Sequence, residues 1–175
     1  QVVGPSGAVI GVDRNADRLA LSRQAAPVVA ETVGYDNVRF VEGAIESLDA
    51  PTAAGELLIA TASVDVVLSN CVLNLVNPSA RTSLLHNIRR VLRPGGRVAI
   101  SDIVCDRPVP DHLQRDAELW SGCISGAWQE EAFLADFRAL GFEDVTYADR
   151  SDQPWRVVEG IEFRAVTLIG AWPAA

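Results

Sequence analysis

Val64-Asp65-Val66-Val67-Leu68-Ser69-Asn70-Cys71 is the stretch that decides the fold. It is almost continuously apolar, rich in β-branched residues, and ends abruptly in polar ones. A strand buried on both faces reads this way, and such strands belong to parallel sheets covered by helices on either side. Residues 64–70 are therefore expected to form an inner strand. In doubly wound α/β folds, ligands lie just outside the carboxyl ends of the strands. Asn70 and Cys71 sit at that end.

The flanking segments agree. Ser79 to Leu92 repeats apolar residues at helical spacing, with Leu84, Leu85, Ile88, Val91 and Leu92 as the inner stripe. Arg93-Pro94-Gly95-Gly96 stops this helix, and Arg97 to Val104 reads as the next strand. Upstream, Gly4-Pro5-Ser6-Gly7 is a turn. Ala8 to Asp13 is a short buried strand, and residues 15 to 26 form a helix capped by Asn15 and broken at Pro27. Val38 to Val41 alternates like a strand. Downstream, helices are expected around 110–120 and 129–140, the second ended by Gly141. Phe142 to Ala148 and Glu162 to Ala171 read as strands with no helix between them, which predicts an antiparallel pair at one edge. The whole is an α/β, Rossmann-like sheet in one domain spanning residues 1–175.

Composition narrows the function. A net charge of -8 argues against nucleic acid or an anionic membrane as partner, and no apolar run approaches the length of a membrane span. Three unequally spaced cysteines do not make a disulfide framework, so a reduced, cytoplasmic chain is expected.

Several residues stand out, each with a plainer reading beside it. Asp13 ends a strand where an acid can accept hydrogen bonds from ribose hydroxyls, although such acids are often helix caps. Gly43-Ala44-Ile45-Glu46 can offer a backbone N–H and an apolar side chain to an adenine ring, or can be an ordinary turn. Cys71 follows Ser69-Asn70 at the strand end. Cys123 lies in Leu119-Trp120-Ser121-Gly122-Cys123-Ile124-Ser125-Gly126-Ala127, a loop-like frame bracketed by Trp120 and Trp128. A free cysteine is often just a small buried apolar residue. Two thiols that can reach one crevice point instead to a thiophilic substrate. Cys105, past the end of a strand, reads as incidental. His86 and His112 have no sequence partner that makes a catalytic pair.

Taken together, these segments resemble the S-adenosylmethionine-dependent arsenite methyltransferases. The strand turns and the Pro-Gly-Gly stop are common to many class I methyltransferases. Ser69-Asn70-Cys71-Val72-Leu73-Asn74-Leu75 and Cys123-Ile124-Ser125-Gly126-Ala127 are narrower and carry the resemblance to the arsenic branch. It implies that Cys71 and Cys123 are thiolate ligands of trivalent arsenic and the catalytic residues. It implies S-adenosylmethionine as cofactor, held by Asp13, Arg14, Ala44, Ile45, Glu46 and Asn70. It also implies arsenite or its thiol conjugates as substrate and an external thiol as reductant. The family's glycine-rich loop, the strand that precedes it and a further upstream cysteine have no counterpart here. The chain begins at Gln1 and contains no methionine, and it is expected to be the carboxyl-side part of a longer enzyme. Two other readings stay open. One is a class I methyltransferase for a small organic acceptor such as a quinone precursor. The other is a non-catalytic arsenic-binding protein.

Overall fold

A computed structural model describes residues 2–174. The chain divides into two compact units, the first ending at Ile59 and the second beginning at Ala60.

The first unit holds strands β1 (Val9–Asp13) and β2 (Val38–Glu42), paired in parallel, with helix α1 (Ala16–Val33) between them. Asn15 caps α1 as expected, its side chain accepting the Arg18 N–H at 3.0 Å. The helix does not break at Pro27. It continues to Val33 and ends on Gly34, whose left-handed φ of 85° lets its N–H close on Ala30 O. Proline removes one helical hydrogen bond, but its fixed φ is itself helical. Pro27 is exposed and its neighbours Ala25, Ala26 and Ala30 favour helix, so the missing bond does not end it.

The second unit is built on a sheet ordered β3 (Val64–Asn70), β4 (Leu92–Cys105), β8 (Ile161–Ala171), β6 (Glu143–Arg150). β3 runs parallel to β4, while β8 is antiparallel to both β4 and β6. The expected antiparallel pair is therefore present. A short strand between its members, β7 (Arg156–Val158), was not anticipated; it turns into β8 through Glu159 and Gly160, both with positive φ. That is the backbone of the tight two-residue hairpin turn that matches strand twist.

Helix α2 (Arg81–Val91) buries Leu84, Leu85, Ile88 and Val91, the predicted stripe. The expected single helix at 110–120 is two short ones, α3 (Asp111–Gln114) and α4 (Ala117–Ser121). Asp116 divides them because its carboxylate accepts the Leu119 N–H at 2.9 Å and starts a new helix. A two-residue strand, β5 (Trp128–Gln129), precedes helix α5 (Glu130–Ala139). Trp128, Phe133, Phe137, Phe142 and Trp172 pack in series, with successive ring centroids 5.4 to 5.6 Å apart. This aromatic row seats α5 on the sheet.

A further expectation fails. β3 is not buried on both faces: Val66 is 50% exposed and Leu68 76%. Within its sheet β3 pairs with β4 alone, so it is an edge strand despite its inner-strand composition. Among the described residues no helix is long and apolar enough to cross a membrane.

Candidate active site

The carboxyl end of β3 and the turn after α4 meet in the second unit. The Cys71 N–H donates to Ser101 O at 2.8 Å, extending the β3–β4 ladder by one residue. The chain then reverses through a short 3₁₀ turn, Leu73–Leu75. Asn74 is buried, and its side-chain amide donates to Ile103 O at 2.6 Å and to Cys123 O at 3.2 Å. It thereby ties both thiol-bearing segments to β4. At Gly126 a Cβ would lie 1.9 Å from Asn74 O, so only glycine lets the two segments pass this closely. Ser125 Oγ donates to Leu113 O at 2.6 Å, and Ile124 is fully buried in the cluster formed by Ile103, Val109, Leu113, Leu119 and Phe163. The two narrow motifs of the sequence are thus two sides of one contact.

This contact sets the sulfur atoms. Cys71 Sγ, Cys123 Sγ and an Asp102 carboxylate oxygen all lie within 4.8 Å of one another. Cys123 Sγ donates to Cys71 O at 3.6 Å. Both cysteines have left-handed backbones, with φ of 53° at Cys71 and 60° at Cys123. Non-glycine residues rarely adopt this conformation, at a cost of about 1–2 kcal/mol each. Strain of this kind gathers where function needs a side chain aimed. Cys71 is exposed and Cys123 is buried, so the pair opens to solvent on one side.

Burial pushes the Cys123 thiol up to about 11, and the negative charge of Asp102 adds to the shift. Cys71 is raised too, by burial first and then by Asp102. Asp102 is itself raised to about 6 by burial, although the N–H groups of Ile103 and Asn74 and the charge of Arg81 pull it back. Arg81 lies over the Trp128 ring, 3.7 Å from its centroid, and donates to Gly126 O.

The sequence assigned Asp102 no role at the site, although a signal was available. It is an acid inside the apolar run Val98-Ala99-Ile100-Ser101-Asp102-Ile103, a position where a charge is costly and needs a reason. Cys105 stands apart, as expected. It is buried, donates to Trp128 O at 3.2 Å, and is raised to about 12 by burial. His112 pairs at the surface with Glu159.

The other expected site residues behave as follows. In the first unit, the carboxyl ends of β1 and β2 bring Asp13 and Glu42 into register, and Gly43 N–H donates to Asp13 O at 3.0 Å. Asp13 Oδ1 accepts the Asn15 N–H at 2.9 Å. The Arg14 guanidinium is 3.8 Å from Glu46, and Ala44 and Ile45 lie half-buried on the turn after β2. A carboxylate with lone pairs to spare, beside a half-buried apolar turn, suits a ribose and an adenine ring. In the second unit Asn70 is exposed at the end of β3.

Fold and site together define a methyltransferase-type domain with a thiol pair at a strand end. Residues 1–147 match the family described as "Methyltransferase domain", and the chain belongs to that family. It is 38% identical to an arsenite methyltransferase of Aquipseudomonas alcaligenes, covering 91% of this chain and 43% of that protein. With an arsenite methyltransferase of Halobacterium salinarum the identity is 40%, covering 87% and 35%. Among solved structures it resembles the arsenic(III) S-adenosylmethionine methyltransferase of Chlamydomonas reinhardtii, with a TM-score of 0.82 and 29% identity over 98% of this chain and 57% of that one. The chain spans less than half the length of the curated relatives it matches.

Proposed function

We propose that this chain forms part of an S-adenosylmethionine-dependent arsenite methyltransferase in which Cys71 and Cys123 hold trivalent arsenic. The observation that carries this reading is the approach of two strained thiols to within 4.8 Å, from motifs 52 residues apart.

The chemistry follows from the thiol environment. Both thiols are raised and therefore protonated at neutral pH. Arsenite brings its own leaving groups, so this is no obstacle. Each thiol proton joins an arsenic-bound hydroxyl and leaves as water while an As–S bond forms. Two thiols thus exchange for two hydroxyls with no net release of protons. Soft sulfur suits soft arsenic, and the arsenic lone pair remains free as a nucleophile.

Bound S-adenosylmethionine would supply an electrophilic sulfonium methyl group. Asp13 would hold its ribose, with Arg14, Ala44, Ile45 and Glu46 beside it in the first unit. The chain's contribution to rate is then mainly orientation of the held arsenic, which can supply most of a barrier reduction. Methyl transfer takes arsenic from the trivalent to the pentavalent state, so an external thiol must return two electrons. A reducing, cytoplasmic setting fits this need and the free thiols.

Transfer of labelled methyl from S-adenosylmethionine to arsenite by the full-length enzyme tests the reading, and the variants are made in that context. Cys71→Ser and Cys123→Ser are each expected to abolish it, while Cys105→Ser leaves it. Full activity in Cys71→Ser would sink the assignment. Asp13→Ala is expected to weaken cofactor binding by a few kcal/mol, at about 1.5–3 per lost hydrogen bond to a carboxylate. Calorimetry showing unchanged cofactor affinity would remove Asp13 from the site.

A further inference from the structure

We propose that Cys71, Cys123 and Asp102 also form a binding site for a thiophilic divalent cation of the zinc and cadmium class. Two sulfurs and one carboxylate oxygen would be the protein donors, with the fourth position open to solvent.

The donor set is the first argument. Thiolates with a carboxylate oxygen are donors that tetrahedral zinc accepts, and three protein ligands with one open position is a common arrangement. The spacing is the second. Donor atoms around a tetrahedral ion with bonds of about 2.0–2.3 Å lie roughly 3.3–3.8 Å apart. The three atoms here already lie within 4.8 Å of one another, and Cys71, on the exposed side, is free to close the remainder.

Asp102 supplies the third argument. Its Oδ1 accepts the Ile103 N–H at 2.8 Å and its Oδ2 the Asn74 N–H at 3.3 Å. The Leu73 N–H also donates to this carboxylate. A carboxylate can accept about four hydrogen bonds, so acceptor capacity remains beside these three donors. The three backbone donors fix its orientation, as partners behind metal ligands usually do. Asn74 links it further to the Cys123 segment through Cys123 O. A buried carboxylate beside two thiols has little to offer trivalent arsenic, whose third partner is better met by an external thiol. Toward a divalent cation it is a strong donor and offsets charge. Binding would deprotonate both thiols, the two protons passing to solvent as two metal–sulfur bonds form.

This site stands on the geometry of the three donors and does not need the methyltransferase reading. It makes divalent cations competitors of arsenite for the same thiols.

Cadmium is the probe, titrated into the reduced chain with a phosphine reductant and followed by the thiolate-to-cadmium charge-transfer absorption. One ion per chain is expected. X-ray absorption of the wild-type adduct should show two sulfur neighbours together with oxygen neighbours. Cys71→Ser and Cys123→Ser should each weaken binding by at least about tenfold and halve the absorption per bound ion. Asp102→Asn should weaken it about tenfold or more with that absorption unchanged, and Cys105→Ser should match wild type. Circular dichroism checks that each variant is folded. No stoichiometric band in the wild type, a sulfur-only shell, or wild-type affinity in Asp102→Asn would overturn the proposal. Added arsenite is expected to displace the cadmium. Cadmium binding without any arsenite binding would contradict the proposed function and leave this site standing.

Discussion

Asp102 is the residue on which the electrostatics of the thiol pair turn. It is 3% exposed, and burial raises its carboxyl from 3.8 to about 6. The folded chain therefore holds a proton on Asp102 that the unfolded chain has released between those two values. Stability falls as pH rises through that window, by about 3 kcal/mol at 1.36 per unit. Asp102→Asn is expected to remove the slope. It should be more stable than wild type at pH 7, by less than that amount because one acceptor is lost, and lose its advantage near pH 4. Denaturant unfolding at the two pH values measures this. A variant less stable than wild type at pH 7 would show that ionised Asp102 stabilises the fold.

At the scale of elements, the site depends on two irregular segments locked against each other. Gly126→Ala would push a methyl group into Asn74 O at 1.9 Å, against backbone that has little room to move. A loss of about 1–3 kcal/mol is expected, as for other overpacked interiors, with the two thiols forced apart. Thermal unfolding and a count of thiols crosslinked by a short bifunctional arsenical would register both effects. Unchanged crosslinking would mean that the contact does not set the thiol spacing. These segments were legible in the sequence as motifs but not as geometry. Cys71 and Cys123 stood out because each interrupts its surroundings chemically. Asn74, Gly126 and Asp102 did not, because their roles are hydrogen bonding and close approach across 28 to 52 residues of chain, which no local pattern encodes. Helices were read well where an apolar stripe or a cap fixed them, as in α2 and at Asn15. They were misread at Pro27 and Asp116, where one residue's local preference was set against its neighbours.

At the scale of the molecule, the antiparallel pair followed from pattern alone, but the strand order and the burial of β3 did not. Its composition is that of an inner strand, while its place in the sheet is an edge, with Val66 and Leu68 exposed. Apolar edges of this kind invite pairing with another chain. The chain is expected to self-associate at micromolar concentration, and Leu68→Lys should suppress this without lowering the unfolding temperature. Sedimentation velocity on both proteins checks it, and equal association would place the contact elsewhere. The proposed activity requires that the thiol pair hold arsenic. Arsenic X-ray absorption on the reduced chain mixed with arsenite measures this directly. One arsenic per chain with two As–S bonds is predicted, lost in Cys71→Ser and in Cys123→Ser and kept in Cys105→Ser. Arsenic that stays oxygen-bound in the wild type, or sulfur-bound in Cys71→Ser as in wild type, would contradict it.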